Sequence, residues 1–119
     1  MPQPNETLSL MQPYFFPYIG YFSLIKKSDF FIFFDTPQYE RSSWMNRNRI
    51  RHPNPTEESN YIMAQLAKAH YTTALNKREI TKTFDWRNKF FGQLEVYKKN
   101  APYYHSTIEM LNESLKINY

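Results

Sequence analysis

The chain has 119 residues, of which 41% are hydrophobic and 22% charged, so extensive disorder and two independent cores are excluded. The absence of cysteine excludes disulfide scaffolds, thiol catalysis and cysteine-ligated metal sites, and two glycines cannot build a glycine-rich phosphate loop. The formal charge is +4, and Arg41–Arg51 contains four arginines and no acid. This local excess indicates a compact anionic ligand and argues against nucleic acid bound over a diffuse basic face.

The first predicted elements are a strand, a helix and a second strand. After a flexible tail over Met1–Glu6, the apolar run Thr7–Met11 predicts a short strand, and Pro17 begins a helix over Tyr18–Ser28. The continuous apolar run Phe30–Phe34 is typical of a parallel strand covered on both faces. We therefore predict an α/β fold with a small parallel or mixed sheet that starts with a Rossmann-like βαβ unit.

The rest of the chain is predicted as a long loop followed by short strands and two C-terminal helices. In chain order these are the loop Asp35–His52, a proline-rich turn to Asn60, strands over Tyr61–Ala67 and Arg78–Phe84, a helix capped by Asp85 that extends to about Asn100, and a helix over Tyr104–Lys116. The segment Lys68–Lys77 stays ambiguous. We expect residues 7–119 to form a single domain.

Candidate site residues follow the two predicted parallel strands. Gln12 follows the first strand, and Asp35 and Gln38 follow the second, so these side chains are expected to meet at one edge of the sheet, where ligands of α/β proteins bind. Asp35 is the candidate general base, although a turn-capping role for it carries equal weight. The first turn of the Tyr18 helix would add backbone N–H groups at that edge.

A basic cluster in the loop supplies the candidate anion-binding residues. In an extended conformation, Asn46 and Asn48 project to one side, and Arg47 and Arg49 project to the other. Guanidinium groups bind phosphate or carboxylate, and asparagine amides bind hydroxyls. We predict ligand contact for this cluster together with Trp44, and the alternative is an exposed turn whose arginines pair with nearby glutamates. The three histidines are far apart, and no metal site is predicted.

The uncharged stretch Thr7–Ile25 has the length of a membrane span, but Pro13, Pro17 and several polar residues interrupt it. The first residues lack lysine and arginine and include Glu6, unlike a signal peptide. We therefore expect no membrane span and a cytoplasmic location.

Two long motifs carry a resemblance to a known family. The first is the run Gln12–Phe22, and the second combines Asp35, Gln38 and Trp44 with the run Asn46–Ile50. Both resemble the WbqC-like family, whose members occur in bacterial O-antigen and other surface-polysaccharide gene clusters. Looser similarity continues through the segments 85–87 and 97–103, and the chain resembles the N-terminal half of family members about twice as long.

The resemblance implies a protein of surface-glycan biosynthesis, with a transferase acting on a nucleotide-activated or amino sugar as the leading hypothesis. It leaves the cofactor unassigned. Thr36 stands where the family usually has a second acid, and Phe90 stands where histidine is common. The spacing of Tyr18, Gly20 and Tyr21 is similar to the H-x-G-H motif of nucleotidylyltransferase-like folds, which implies that Tyr18 and Gly20 contact the ligand although tyrosine replaces both histidines.

Two other functions stay open. The chain could be a non-catalytic binding or scaffold module of a glycan-assembly complex, with a protein partner or a missing C-terminal half docked on it. Single-stranded nucleic acid could bind through Tyr39, Trp44 and the arginines, but one short loop is a small footprint for such a ligand.

Overall fold

A computed structural model describes residues 3–83 and 85–116. The strands are β1 (Leu8–Met11), β2 (Phe30–Phe33), β3 (Arg47–Ile50) and β4 (Asn60–Met63), and the α-helices are α1 (Ile19–Lys27), α2 (Trp86–Leu94) and α3 (Tyr104–Ser114). Two 3₁₀ turns cover Leu75–Lys77 and Glu95–Tyr97. The described residues of Met1–Asn48 and Met63–Phe84 form one compact unit, and those of Arg49–Ile62 and Asp85–Tyr119 form a second.

Strands β1 and β2 form a parallel pair in the first unit, with α1 between them in the sequence. Leu8 lies opposite Phe30 and Met11 lies opposite Phe33. The predicted parallel pair is thus confirmed. Strands β3 and β4 form a separate antiparallel sheet, and each sheet has two strands within the described residues. The α/β class is therefore confirmed, whereas the predicted Rossmann-like βαβ arrangement is not.

Helix α1 packs on one face of the parallel pair. Tyr21 is buried, its ring centroid lies 5.6 Å from that of Phe31, and its hydroxyl donates a hydrogen bond of 2.8 Å to the backbone carbonyl of Gln12. Burial raises the pKa of the Tyr21 phenol, and the nearby Tyr14 raises it further. Tyr21 therefore ties the helix to the end of β1 and contributes to the core.

The opposite face of the parallel pair is exposed. Alternation along the strands places four side chains on this face, which we call the uncovered sheet face: Leu8, Leu10, Phe30 and Ile32. They are 44% to 53% exposed. The prediction that Phe30–Phe34 is covered on both faces is wrong, because Phe30, Ile32 and Phe33 are 44%, 47% and 54% exposed.

Several other boundaries differ from the sequence-based predictions. Strand β3 lies within the predicted loop, and Arg78–Phe84 forms no strand over its described residues. Ile80 instead makes a single antiparallel bridge with Leu66, since the hydrogen bonds of its neighbours do not continue into a ladder. The outermost tail residues, Met1 and Pro2, and Phe84 lie outside the described residues.

The C-terminal helices of the second unit largely follow the predictions. The Asp85 carboxylate accepts a 3.1 Å hydrogen bond from the Arg87 backbone N–H, which confirms the predicted helix cap. Trp86, Phe90 and Leu94 are buried along one face of α2. The α-helix ends at Leu94 and continues as a 3₁₀ turn, short of the predicted end at Asn100.

Candidate active site

The first two candidate residues, Gln12 and Asp35, follow the paired ends of β1 and β2. The Phe34 backbone N–H donates a 2.7 Å hydrogen bond to the carbonyl of Met11. Because the strands are parallel and Met11 pairs with Phe33, Gln12 and Asp35 both lie just beyond the same edge of the sheet. The Asp35 carboxylate accepts a long hydrogen bond of 3.5 Å from the side-chain amide of Asn76.

Beyond β2 the chain runs antiparallel to a distant segment. The Asp35 carbonyl accepts from Asn76 N–H at 2.9 Å, the Pro37 carbonyl accepts from Leu75 N–H at 2.7 Å, and Gln38 forms a bridge with Ala74. This pairing directs the chain from the sheet edge at Asp35 toward a cleft that begins at Gln38.

The cleft has a volume of about 470 Å³ and lies entirely in the first unit. We call it the arginine cleft, and its lining residues are Gln38, Tyr39, Glu40, Arg41, Ala69, Tyr71 and Arg78. The Cζ atom of Arg78 lies 4.8 Å from the centroid of the Tyr39 ring, close enough for a cation–π interaction. The ring thereby holds this guanidinium in the wall of the cleft.

The charges of the arginine cleft are not neutralised by the described residues. Within residues 3–83 and 85–116, no carboxylate lies within 4.0 Å of the Arg41 or Arg78 guanidinium, and Glu40 has no cationic partner at that distance. The Nε atom of Arg78 is buried and has no hydrogen-bond partner in the described part of the chain. A buried donor without an acceptor carries a desolvation cost, which is one feature of this wall of the cleft.

The two predicted asparagines contact the protein itself. Asn46 is buried, its amide donates to the Ala64 carbonyl at 3.1 Å, and its Oδ1 accepts from the Tyr39 hydroxyl at 2.9 Å. The Asn48 amide donates to two successive carbonyls, those of Phe15 at 3.1 Å and Phe16 at 2.6 Å. Both asparagines therefore hold backbone segments of the first unit in place.

The remaining predicted residues lie outside the lining of the arginine cleft. The Arg47 guanidinium donates to the Ser42 carbonyl at 2.9 Å, and its Cζ lies 5.9 Å from the Trp44 ring. Arg49 is exposed on β3 in the second unit. Of the residues predicted to bind a small anionic ligand, Gln38 lines the cleft, as do Tyr39 and Arg41, which were predicted as contacts in the nucleic-acid alternative.

Tyr18 and Gly20 lie at the start of α1. Tyr18 is the N-cap residue and is largely exposed, with an extended backbone. A Cβ added at Gly20 would collide with the Tyr18 ring. Glycine at position 20 therefore allows that ring to fold back over the first turn of the helix.

The sequence-based site missed Arg78, Tyr71 and the role of Arg41. Arg41 belongs to the basic segment Arg41–Arg51, whereas the sequence predicts Arg78 as part of a strand. The Tyr39 ring in contact with Arg78 lies far away in the chain, so no local sequence pattern predicts that Arg78 lines a cleft. The one sequence signal for Arg78 is its place as a basic residue directly after the ambiguous segment Lys68–Lys77.

No group of three or more His, Cys, Asp or Glu side chains among the described residues is placed to hold a metal ion. None of the helices in the described part of the chain has the length and apolar character needed to cross a bilayer.

The edge at Gln12 and Asp35 and the cleft that follows lie within a region that matches a known family. The model of the WbqC-like protein family matches residues 12–119. The chain belongs to this family. A segment of 46 residues is 43% identical to the uncharacterized protein Rv1507c of Mycobacterium tuberculosis, covering 39% of this chain and 20% of that relative. The chain thus matches about a fifth of that relative's length, and no solved structure matches it.

Proposed function

We propose that this WbqC-like chain binds an anionic small molecule in the arginine cleft and that the ligand is a nucleotide-activated sugar used by a transferase of bacterial surface-glycan biosynthesis. The observation that carries the proposal is the presence of two guanidinium groups, those of Arg41 and Arg78, in one cleft without a carboxylate partner among the described residues. Guanidinium groups bind phosphate oxygens in bidentate geometry, and a diphosphate would occupy both.

Other residues have defined roles in this proposal. The Tyr71 ring is 75% exposed and lines the cleft, so it offers a stacking surface to a base or a sugar. Asp35 is the proposed general base, because the segment that follows it leads directly to Gln38 in the cleft. Membership of the WbqC-like family and the surface-polysaccharide setting expected for it support this class of substrate.

Binding is tested by calorimetric titration of UDP-glucose and dTDP-glucose into the wild type and two variants, Arg41→Ala and Arg78→Ala. We expect each variant to bind at least about tenfold more weakly, because a hydrogen bond to a charged group contributes about 1.5–3 kcal/mol. Arg51→Ala is the matched control, since it removes one exposed arginine outside the cleft. Equal affinity of all four proteins would overturn the proposal.

Turnover is tested separately with Asp35→Asn. We expect this variant to retain nucleotide-sugar binding but to lose release of the nucleoside diphosphate in the presence of a mixture of cell-envelope glycan acceptors. Full release by Asp35→Asn would remove Asp35 from the role of general base.

A second candidate function is the non-catalytic scaffold module, which the uncovered sheet face favours. Parallel sheets normally have both faces covered, so a partner polypeptide would supply the missing layer. This candidate predicts that the isolated chain self-associates and that Leu10→Lys reduces the association measured by light scattering. A monomeric wild type with cooperative unfolding would contradict it.

A further inference from the structure

We infer that the arginine cleft selects a ligand that carries both a phosphate group and a protonated amine, which is the chemistry of a phosphorylated amino sugar. This inference rests on the proposed function and narrows its substrate class. Its starting point is Glu40, which lines the same cleft as Arg41 and Arg78.

Glu40 interacts with the rest of the described residues through its backbone carbonyl. Among the described residues its carboxylate has no ion pair within 4.0 Å, even though two guanidinium groups line the same cleft. Its backbone carbonyl, by contrast, is used, since it accepts hydrogen bonds from the Ser43 backbone N–H at 3.4 Å and from the Ser43 hydroxyl at 2.6 Å. The turn at Glu40 is therefore held through the Glu40 backbone carbonyl and Ser43, and the Glu40 carboxylate takes part in neither of these hydrogen bonds.

The Glu40 carboxylate affects which charged ligands the arginine cleft can bind. A purely anionic ligand would be repelled by the carboxylate, which lowers its affinity in a cleft that has two arginines to attract it. An ammonium group on the same ligand reverses the sign of that interaction. Separate positive and negative groups that do not neutralise each other match a ligand that has both charges.

The arginine cleft also offers contacts to an uncharged sugar ring. The Tyr39 hydroxyl donates its hydrogen bond to Asn46, and its ring lies under the Arg78 guanidinium. Tyr39 therefore contributes to ligand binding indirectly, by positioning Arg78. The exposed Tyr71 ring can pack against the C–H face of a pyranose, and the Gln38 amide can bind sugar hydroxyls. The lining therefore suits a sugar placed between a phosphate and an amine contact.

The test compares pairs of ligands that differ in the amine alone. Glucosamine-6-phosphate is titrated against glucose-6-phosphate, and UDP-glucosamine against UDP-glucose, by calorimetry at neutral pH. We expect the amine to raise affinity about fivefold, the range of an exposed ion pair, in at least one of the two ligand pairs. The pair that shows the preference identifies the source of the phosphate, a monoester or a nucleotide diphosphate.

Glu40→Gln should abolish the amine preference and leave the dependence on Arg41 and Arg78 intact. Glu57→Gln is the control, since it removes an exposed carboxylate that does not line the cleft. If wild type binds both members of each pair equally, the inference is wrong while the proposed function stands. If none of these phosphates binds, the proposed function itself fails.

Discussion

The Arg78 guanidinium lies over the Tyr39 ring, with 4.8 Å between Cζ and the ring centroid. The hydroxyl on that ring donates to the buried Oδ1 of Asn46, whose amide donates to the Ala64 carbonyl. A cleft-lining cation is thus connected through one aromatic ring to a buried amide. In this arrangement Arg78 is the proposed ligand contact, and Tyr39 and Asn46 keep it in position.

Tyr39→Phe is expected to lower the free energy of unfolding by about 1–3 kcal/mol, because it leaves a buried carbonyl oxygen of Asn46 without its donor. The ring under Arg78 is retained, so phosphate binding should weaken far less than in Arg78→Ala. Urea unfolding and calorimetry measure the two effects. An unchanged stability would show that the Asn46 oxygen finds another donor.

Asn48→Ala should cost about 1–3 kcal/mol of stability, because the carbonyls of Phe15 and Phe16 both lose the amide that binds them. Asn48→Asp should cost more, since a carboxylate cannot donate to either carbonyl. Asn5→Ala, at an exposed position of the same unit, serves as the control in urea unfolding. Equal midpoints for all three variants would contradict the assigned role.

Ser42→Gly is expected to raise the free energy of unfolding by up to about 1 kcal/mol, because Ser42 has a φ of 62°, in the left-handed region that glycine adopts readily. The Ser42 carbonyl that accepts from Arg47 is retained. Ser42→Val should instead destabilise, since a branched Cβ is strained at this φ. Thermal unfolding of the two variants compares them directly, and the reverse order would refute the prediction.

Asp29→Asn should lower stability at neutral pH and matter less in acid. Hydrogen bonds from the Thr7 backbone N–H, and secondarily from its hydroxyl, hold the pKa of Asp29 below its ordinary value of 3.8. The unfolded carboxylate therefore binds protons first as pH falls, and the stability that this carboxylate contributes is lost from about pH 5 downward through the lowered folded pKa.

The measurement for Asp29 is the melting temperature of wild type and variant over a series of pH values. The gap between the two should close on acidification. Glu58→Gln, an exposed position with no such hydrogen bonds among the described residues, should show no comparable trend. A gap that widens in acid would reverse the sign of the argument.

Helix caps, helical spacing and apolar runs predicted the elements that depend on neighbouring residues in the sequence. Asp85 precedes Trp86 and Phe90 at helical spacing, and the structure has the expected cap and buried face. The parallel pair was likewise predictable, because two apolar runs flank a helix of suitable length. Strand β3 was not, since Arg47–Ile50 has the polar composition of a loop and becomes a strand by pairing with β4.

The candidate site depended more on contacts between distant residues. The asparagine at position 48 is visible as a donor, but its acceptors lie more than thirty residues earlier in the chain. Arg78 joins Arg41 in one cleft because Gln38 pairs with Ala74, a contact that no spacing in the sequence encodes. Residue types at strand ends therefore indicated the sheet edge from which the chain leads to the cleft, whereas the lining of the cleft required coordinates.

The two glycines differ in the space that a side chain would meet. A methyl group at position 92 would meet no atom within 4 Å, so Gly92→Ala should simply strengthen α2. The same methyl group at position 20 would push the Tyr18 ring aside and leave its phenol in the protein. Gly20→Ala therefore moves the Tyr18 ring without removing it. The variant can show whether the position of the Tyr18 phenol affects ligand binding while α1 stays folded.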